Sequence, residues 1–451
     1  MITKVGFASA VIALARTLLL LALPTSVSSA ILTFPGTCVT TLQACVTGAA
    51  TGDTIRLATN TPIAESVTVD KSLTIEPAPG FAPSVDFLYA PVTSTSISFT
   101  VQNLAGLNGV RGFLGAGGGS LTLRVLNNVI HPAESNSAVE VTASGGGPGP
   151  YGTVTALVSG NRINATGGDT CSDAVSIVGI GIGAGFDVRV DNNDITVNNL
   201  YQCGGIFAYV AGGATATATV DRNLVHGASF DYGINVTNSG FNPGTPGGLL
   251  TAQVSNNLVY GQNGNTGAPA GLVASASGYN AALAVQLVNN TIVDGRLGVL
   301  VGGRPDLGAS ITGGLFNNVV AFNSQYGIEI EDNLPGFSNA HNLTFGNGDD
   351  YFVAGPGTVT ADPRFVNRPA RDYSLAMGSP AINAGLDSAL PSSFILDLPG
   401  GPRRVSVIDI GAYEAPFVQS VPALTPGALA MLAVLMLLGY ALVAFPARRR
   451  R

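Results

Sequence analysis

The chain of 451 residues has no tryptophan, only three histidines and four cysteines, and charged residues make up 10% of it. A typical soluble domain carries about 25% charged residues, so a surface laced with ion pairs is excluded. Disorder is excluded too, because 46% of the residues are apolar and disordered segments are poor in apolar residues. Basic residues are scarce in the middle of the chain. The two ends, 1–30 and 421–451, hold six of the twenty basic residues and no acid. The stretch 31–420 therefore carries fourteen basic and 27 acidic residues, a net of −13, and Lys71 is its single lysine. An acidic body lacks the positive face that a phosphate backbone requires, which argues against nucleic acid as a partner. Also missing are a Gly-x-Ser-x-Gly elbow, a Gly-x-Gly-x-x-Gly stretch leading into a helix and a Cys/His pair. His131, His226 and His341 lack the spacing of metal ligands. What is abundant is glycine, 59 residues, between short β-branched runs, the composition of a turn-rich all-β protein.

The two ends read as processing signals. Residues 1–30 begin with Lys4, become apolar around Leu18 to Leu23 and turn small at Ser28 and Ala30, the pattern of a secretory signal cut after Ala30. Arg16 interrupts the apolar run, so a retained anchor is the alternative. At the other end, Gly427 to Pro446 is uncharged and long enough to cross a bilayer, with Arg448 to Arg451 left on the cytoplasmic side. A plain membrane anchor is one reading. The order of a short Pro motif, an apolar helix and a terminal Arg cluster resembles the exosortase-type sorting signals. Within it, Val421-Pro422-Ala423-Leu424 is similar to the Ile-Pro-Thr-Leu motif of the IPTL-CTERM family, matching at two of four positions. That resemblance implies an exosortase-type enzyme as partner and membrane residence before the tail is removed. It also implies a mature protein at the envelope or surface of a Gram-negative-like bacterium.

The strongest internal signal is a repeat. Asn128, Asn161, Asn193, Asn223, Asn257, Asn290 and Asn318, with a worn copy at Asn342, recur at intervals of 33, 32, 30, 34, 33, 28 and 24 residues. Three before each of the seven Asn is Val or Leu (Val125, Val158, Leu287), and two after it Ile or Val (Ile130, Ile163, Ile292). Positions five apart on a straight strand face opposite sides. Both reach one core only if the chain bends between them, and Asn tolerates the left-handed backbone of such a bend. Stacked in successive coils, the Asn amides can bond up a ladder. Other strand-like runs, such as Tyr232 to Thr237 and Tyr326 to Glu331, give each coil two or three strands and a variable loop. A self-similar period near 30 residues indicates a solenoid. The expected fold is all-β: a single-stranded parallel β-helix of roughly ten coils, right-handed by the rule for parallel crossovers. A β-propeller, with longer blades, fits less well.

The expected division is a signal over 1–30, an N-terminal cap and first coils over 31–105, repeats over 106–360, a closing region over 361–416 and the sorting signal over 421–451. Gly52 to Leu57 and Ser72 to Ile75 resemble the first coils of bacterial parallel β-helix proteins. Asp362 to Phe365, Asp372 to Leu375, Gly378 to Gly385 and Asp409 to Glu414 together resemble the end of choice-of-anchor Q proteins, which are β-helix surface proteins. The resemblance implies an envelope protein and no particular reaction. Helical periodicity is read only in the two terminal signals.

An exported body makes disulfides the default for its cysteines. Cys38 and Cys45 are close in the N-terminal cap. Cys171 and Cys203 each lie ten after a ladder Asn, at equivalent positions in neighbouring coils about 5 Å apart, which suits a bridge. The expected pairs are Cys38–Cys45 and Cys171–Cys203.

Right-handed β-helices that cut acidic polysaccharides use carboxylate clusters with a basic residue, or groups of Asp. The candidates are Asp191 and Asp221, each two before its ladder Asn, with Asp187 and Asp194 near and Arg189 and Arg222 flanking. Three readings stand: an exposed face on which Arg neutralises Asp, a Ca²⁺ or sugar site at Asp187, Asp191 and Asp221, and catalysis by Asp191 and Asp221. No other cofactor is expected. Asp349 and Asp350 form a second acidic pair, read as lying in a loop. The leading expectation is a non-enzymatic surface protein. A polysaccharide lyase or hydrolase and a Ca²⁺- or glycan-binding adhesin are the alternatives, with extracellular polysaccharide as the partner of either.

Overall fold

The structure, a computed structural model, describes residues 29–416 apart from 133–136, 146–150, 167–171, 199–203, 242, 245–246, 265–269 and 332–333, and beyond them only Met431, Val434 and Leu435. The chain divides into two compact units, Met1–Glu414 and Ala415–Arg451. In the second, Met431, Val434 and Leu435 are helical and exposed. Among the described residues no helix is long and apolar enough to cross a membrane. The signal, the sorting motif Val421 to Leu424 and most of 427–446 lie outside the described residues.

In the first unit the β-branched runs form two long parallel sheets, of 12 and 19 strands. The middle of the chain shows how they are built. Val154–Ser159 lies in the first sheet, Arg162–Thr166 and Val175–Ile180 in the second, and then Gly185–Asp191 returns to pair in parallel with Val154–Ser159. Arg162–Thr166 pairs with Asp194–Asn198, and Val175–Ile180 with Gly204–Ala211. Each circuit thus lays three strands beside those of the previous circuit, an arrangement consistent with a parallel β-solenoid. Antiparallel strand pairing occurs between Phe365–Asn367 and Asp372–Leu375.

The bend at the Asn repeat decides which side chains meet. The residue three before each Asn (Val125 through Leu315) and the residue two after (Ile130 through Val320) are all at most 1% exposed, in one continuous core cluster. The left-handed residue is not the ladder Asn, where the sequence placed it, but its predecessor. Asn127, Asn192, Arg222, Asn256, Asn289 and Asn317 all have φ between 54° and 57°, and Gly160 has φ 69°. The residue just before the ladder Asn turns the corner, and that leaves the ladder Asn free to point inward.

One helix was not legible in the sequence. Leu42–Gly48 caps the N-terminal end, with Thr41 Oγ1 accepting from Ala44 N at 3.0 Å. Glu65 accepts from the amides of Leu42 and Gln43. Lys71 Nζ donates to the carbonyls of Thr47 and Ala49 at its far end, where a cation favours the helix dipole. Seven residues are too few to show a period. A Cys38–Cys45 disulfide ties this helix to the preceding loop.

Residues 362–414 lie along the flank of the stack. Tyr373, Ala381 and Ile410 are buried against Leu258, Val293, Val319 and Leu343. Asn289 Nδ2 donates to the carbonyl of Asp409 at 2.7 Å, and Asn317 exchanges bonds with Leu386 at 2.7 and 3.1 Å. The corner residues that turn the chain also hold this segment.

Candidate functional site

The inward Asn side chains form a continuous ladder. Each of Asn128, Asn161, Asn193, Asn223, Asn257, Asn290 and Asn318 donates Nδ2 to Oδ1 of the Asn one coil on, at 2.9–3.1 Å, ending at Asn342. The same Oδ1 accepts the backbone N–H of the earlier Asn. The second amide hydrogen goes to a carbonyl of an earlier coil, as from Asn257 to Val220 O at 2.9 Å. All are at most 2% exposed. Burying an amide is tolerable only when its groups are bonded, and each coil does this for its neighbour. A second, shorter column was missed: Asn323 donates to Asn347 Oδ1 at 3.0 Å and accepts from Gly295 N at 3.1 Å. Two Asn 24 residues apart are too few to stand out as a repeat.

Asp191 and Asp221 end consecutive strands, Gly185–Asp191 and Thr215–Asp221, and are partners in register. The first of the three sequence readings set them on an exposed face. They are instead buried, 7% and 2% exposed. Two arginines lie across them. Arg189 reaches Asp191 Oδ2 at 3.3 Å and Asp221 Oδ2 at 3.2 Å. Arg222 reaches the same two atoms at 3.0 and 2.9 Å, its left-handed backbone turning it back over the strand ends. Asn256 Nδ2 donates to Asp221 Oδ1 at 2.9 Å. Burial pushes the Asp221 carboxyl above its ordinary range, opposed by the bonds from Asn256 and Arg222. Two carboxylates and two guanidiniums sum to zero, so the cluster as it stands offers a Ca²⁺ ion no net negative charge. Asp187 is exposed and has Thr155 and Thr217 as register partners, so it adds no third carboxylate. Among the described residues no group of three or more His, Cys, Asp or Glu is placed to hold a metal.

The other sequence candidates are dispersed. Asp349 and Asp350 begin a strand, Asp349–Tyr351, rather than lying in a loop. Asp350 is tied to Ile328 N and Thr344 Oγ1. His131 lies near Asn164, His341 against the carbonyl of Ala384, and His226 against Asp194 at 2.9 Å. Cys171 and Cys203 lie outside the described residues.

Beside the Asp/Arg cluster the flanking segment leaves a hollow of about 300 Å³, lined by Asp194, Arg222, Leu224, Tyr260, Arg371, Leu398 and Tyr413 among others. Tyr260 stands three after Asn257 and stacks on His226 of the coil before, with centroids 5.2 Å apart. Arg371 Cζ sits 5.2 Å from the Tyr260 ring centroid. The His226 bond holds the Asp194 carboxyl below its usual range. A second, more open hollow of about 450 Å³ shares Arg371 and is lined further by Asp294, Phe322, Ser324 and Arg368. Arg368 is held by Asp294 at 2.8 and 2.5 Å and lies 3.7 Å from the Phe322 ring centroid. The sequence offered one partial signal for this seam, His226 at the third position after its Asn. Arg368 and Arg371 carry none, because they come from a segment far along the chain.

No protein-family profile matches the chain, and no curated protein matches it.

Proposed function

We propose that the chain is an exported, non-enzymatic surface protein, a right-handed parallel β-helix of roughly ten coils displayed at a bacterial envelope. The observation that carries this reading is the outward side of the twelve-stranded sheet. There Thr217, Thr219, Thr251, Gln253, Gln286 and Thr312 surround a shallow hollow of about 270 Å³. Such a face offers hydroxyl and amide groups to a polymer. The paired carboxylates that a glycosidase or lyase would need are instead locked to Arg189 and Arg222. Export and tail processing are read from the terminal segments, with an exosortase-type enzyme as the processing partner.

Fractionation of cells expressing the full chain, followed by mass spectrometry of both ends, tests this reading. The expected product begins after Ala30, lacks Arg448 to Arg451 and is found in the envelope or medium, whereas P422A retains the tail. A cytoplasmic protein with both ends intact overturns it.

A further inference from the structure

We infer that the seam between the coil stack and residues 362–414 binds a carboxylate-bearing sugar unit, as in a uronate-containing polysaccharide, with Arg371 as its anion anchor. The argument begins with charge. The acidic stretch 31–420 has fourteen basic residues, and three of them, Arg222, Arg368 and Arg371, line two hollows that share one residue. Arg222 and Arg368 are spoken for. Arg222 is clamped by Asp191 and Asp221, and Arg368 by Asp294. Arg371 differs. Its side chain is 52% exposed, its nearest carboxylate oxygen is 3.6 Å away, and its hydrogen bond to the Tyr373 hydroxyl is 3.2 Å long. A guanidinium presents a planar fork that matches a carboxylate in two bonds. Here the guanidinium sits 5.2 Å from the Tyr260 ring centroid and bonds the Tyr373 hydroxyl, two contacts that aim the fork at the hollow.

The rest of the lining selects a ring rather than a bare anion. Tyr260, Leu224, Leu398 and Pro399 present apolar surface, and Asp194 and Asn192 add acceptors and donors to the lining. A pyranose has C–H faces and a rim of hydroxyls, and a few placed polar groups on an apolar wall suit it. Inorganic phosphate would gain from Arg371 and nothing from the wall. The inference rests on the surface-protein reading only for where the ligand is found. Binding is measured on purified protein, so a failure of export and a failure of the cleft are separate results.

The test is calorimetry of the full chain with tetragalacturonate, with neutral cellotetraose and with inorganic phosphate. Tetragalacturonate should bind, cellotetraose should bind at least tenfold more weakly, and phosphate should not displace the uronate at equal concentration. Arg371→Gln should weaken uronate binding at least tenfold, and Arg371→Lys, which keeps the charge and loses the fork, by an intermediate factor. Pro399→Trp, elsewhere in the lining, should block binding by filling the hollow, and circular dichroism melts would show that each variant folds. The inference is overturned if the wild type does not bind tetragalacturonate, if the neutral oligomer or phosphate binds as well, or if folded Arg371→Gln and Pro399→Trp both bind like wild type.

Discussion

Replacing Asn257 by Leu removes one rung from the middle of the ladder and keeps roughly the same volume. The side chain makes four bonds: it donates to Asn290 Oδ1 and Val220 O, each at 2.9 Å, and accepts from Asn223 N at 2.9 Å and Asn223 Nδ2 at 3.0 Å. Asn290 Oδ1 keeps the Asn257 N–H, and Asn223 Nδ2 keeps Val190 O and Asp221 O. The groups that lose this partner are Asn223 N–H and Val220 O, in a place where Asn257 is 0% exposed. An abandoned buried polar group costs about 1–3 kcal/mol, so the variant should lose about 2–6 kcal/mol. Equilibrium urea unfolding followed by circular dichroism reads this directly. Asn257→Asp separates hydrogen bonding from shape. It keeps both acceptances but sets a carboxylate oxygen against Asn290 Oδ1 and Val220 O. A carboxyl there would take up a proton, so its folded pKa lies above the unfolded value and the variant should lose further stability as pH rises. Thr217→Ala, on the outward face, should stay within about 0.5 kcal/mol of wild type. A loss below about 1 kcal/mol for Asn257→Leu would refute the claim that the ladder satisfies groups the coils cannot satisfy otherwise.

Arg222→Met should cost about 3–5 kcal/mol by leaving buried carboxylates with one guanidinium between them, and the double variant Arg222→Met/Asp221→Leu should recover part of that in the same urea assay. Asp173, half-buried and bonded to Gly204 N and the Tyr232 hydroxyl, has its pKa raised to about 6 by desolvation. Its folded form holds the proton more tightly, so this contribution is fully present below about pH 4 and is lost as pH rises towards 6, about 2–3 kcal/mol in all; Asp173→Asn should flatten that slope. Cys38→Ser opens a loop with a sequence separation of 7 and should cost about 2.5 kcal/mol, with hydrogen exchange rising first in Leu42–Gly48. Peptide mapping without reduction should find Cys171 joined to Cys203, and free thiols at both would refute that pairing.

The parallel sheets were legible because they repeat. A spacing near 30 residues with apolar partners at fixed offsets leaves few ways to bury both partners, and the core columns at Val125 and Ile130 follow from it. The corner was legible only to within one residue. Its left-handed position is filled by Asn, Gly, Arg or His, a set with no shared chemistry beyond tolerance of that conformation. The burial of Asp191 and Asp221 was not legible, since it depends on Arg222 folding back across the strand ends. Nor was the seam. Its contacts join Asp294 to Tyr373 and Asn289 to Asp409, 79 and 120 residues apart, and a segment without period gives no register to extrapolate. Arg403, fully buried and bonded to the carbonyls of Asp409 and Gly411, is another product of that docking that composition could not foretell.

The way residues 362–414 lie on the flank has a mechanical consequence. The chain leaves the first unit at Glu414, whose carboxylate is anchored by the amides of Val405 and Asp409. The segment that carries it is stapled to successive corners at Asn289, Asn317 and His341. A pull on the chain beyond Glu414 therefore enters the stack sideways, across its last three ladder coils at once. It loads the staples at Asn289, Asn317 and Asp294 together, in shear, instead of peeling the terminal strand one bond at a time. Bonds loaded in parallel yield together and at higher force, so a tether at this point would hold the coils without unravelling them.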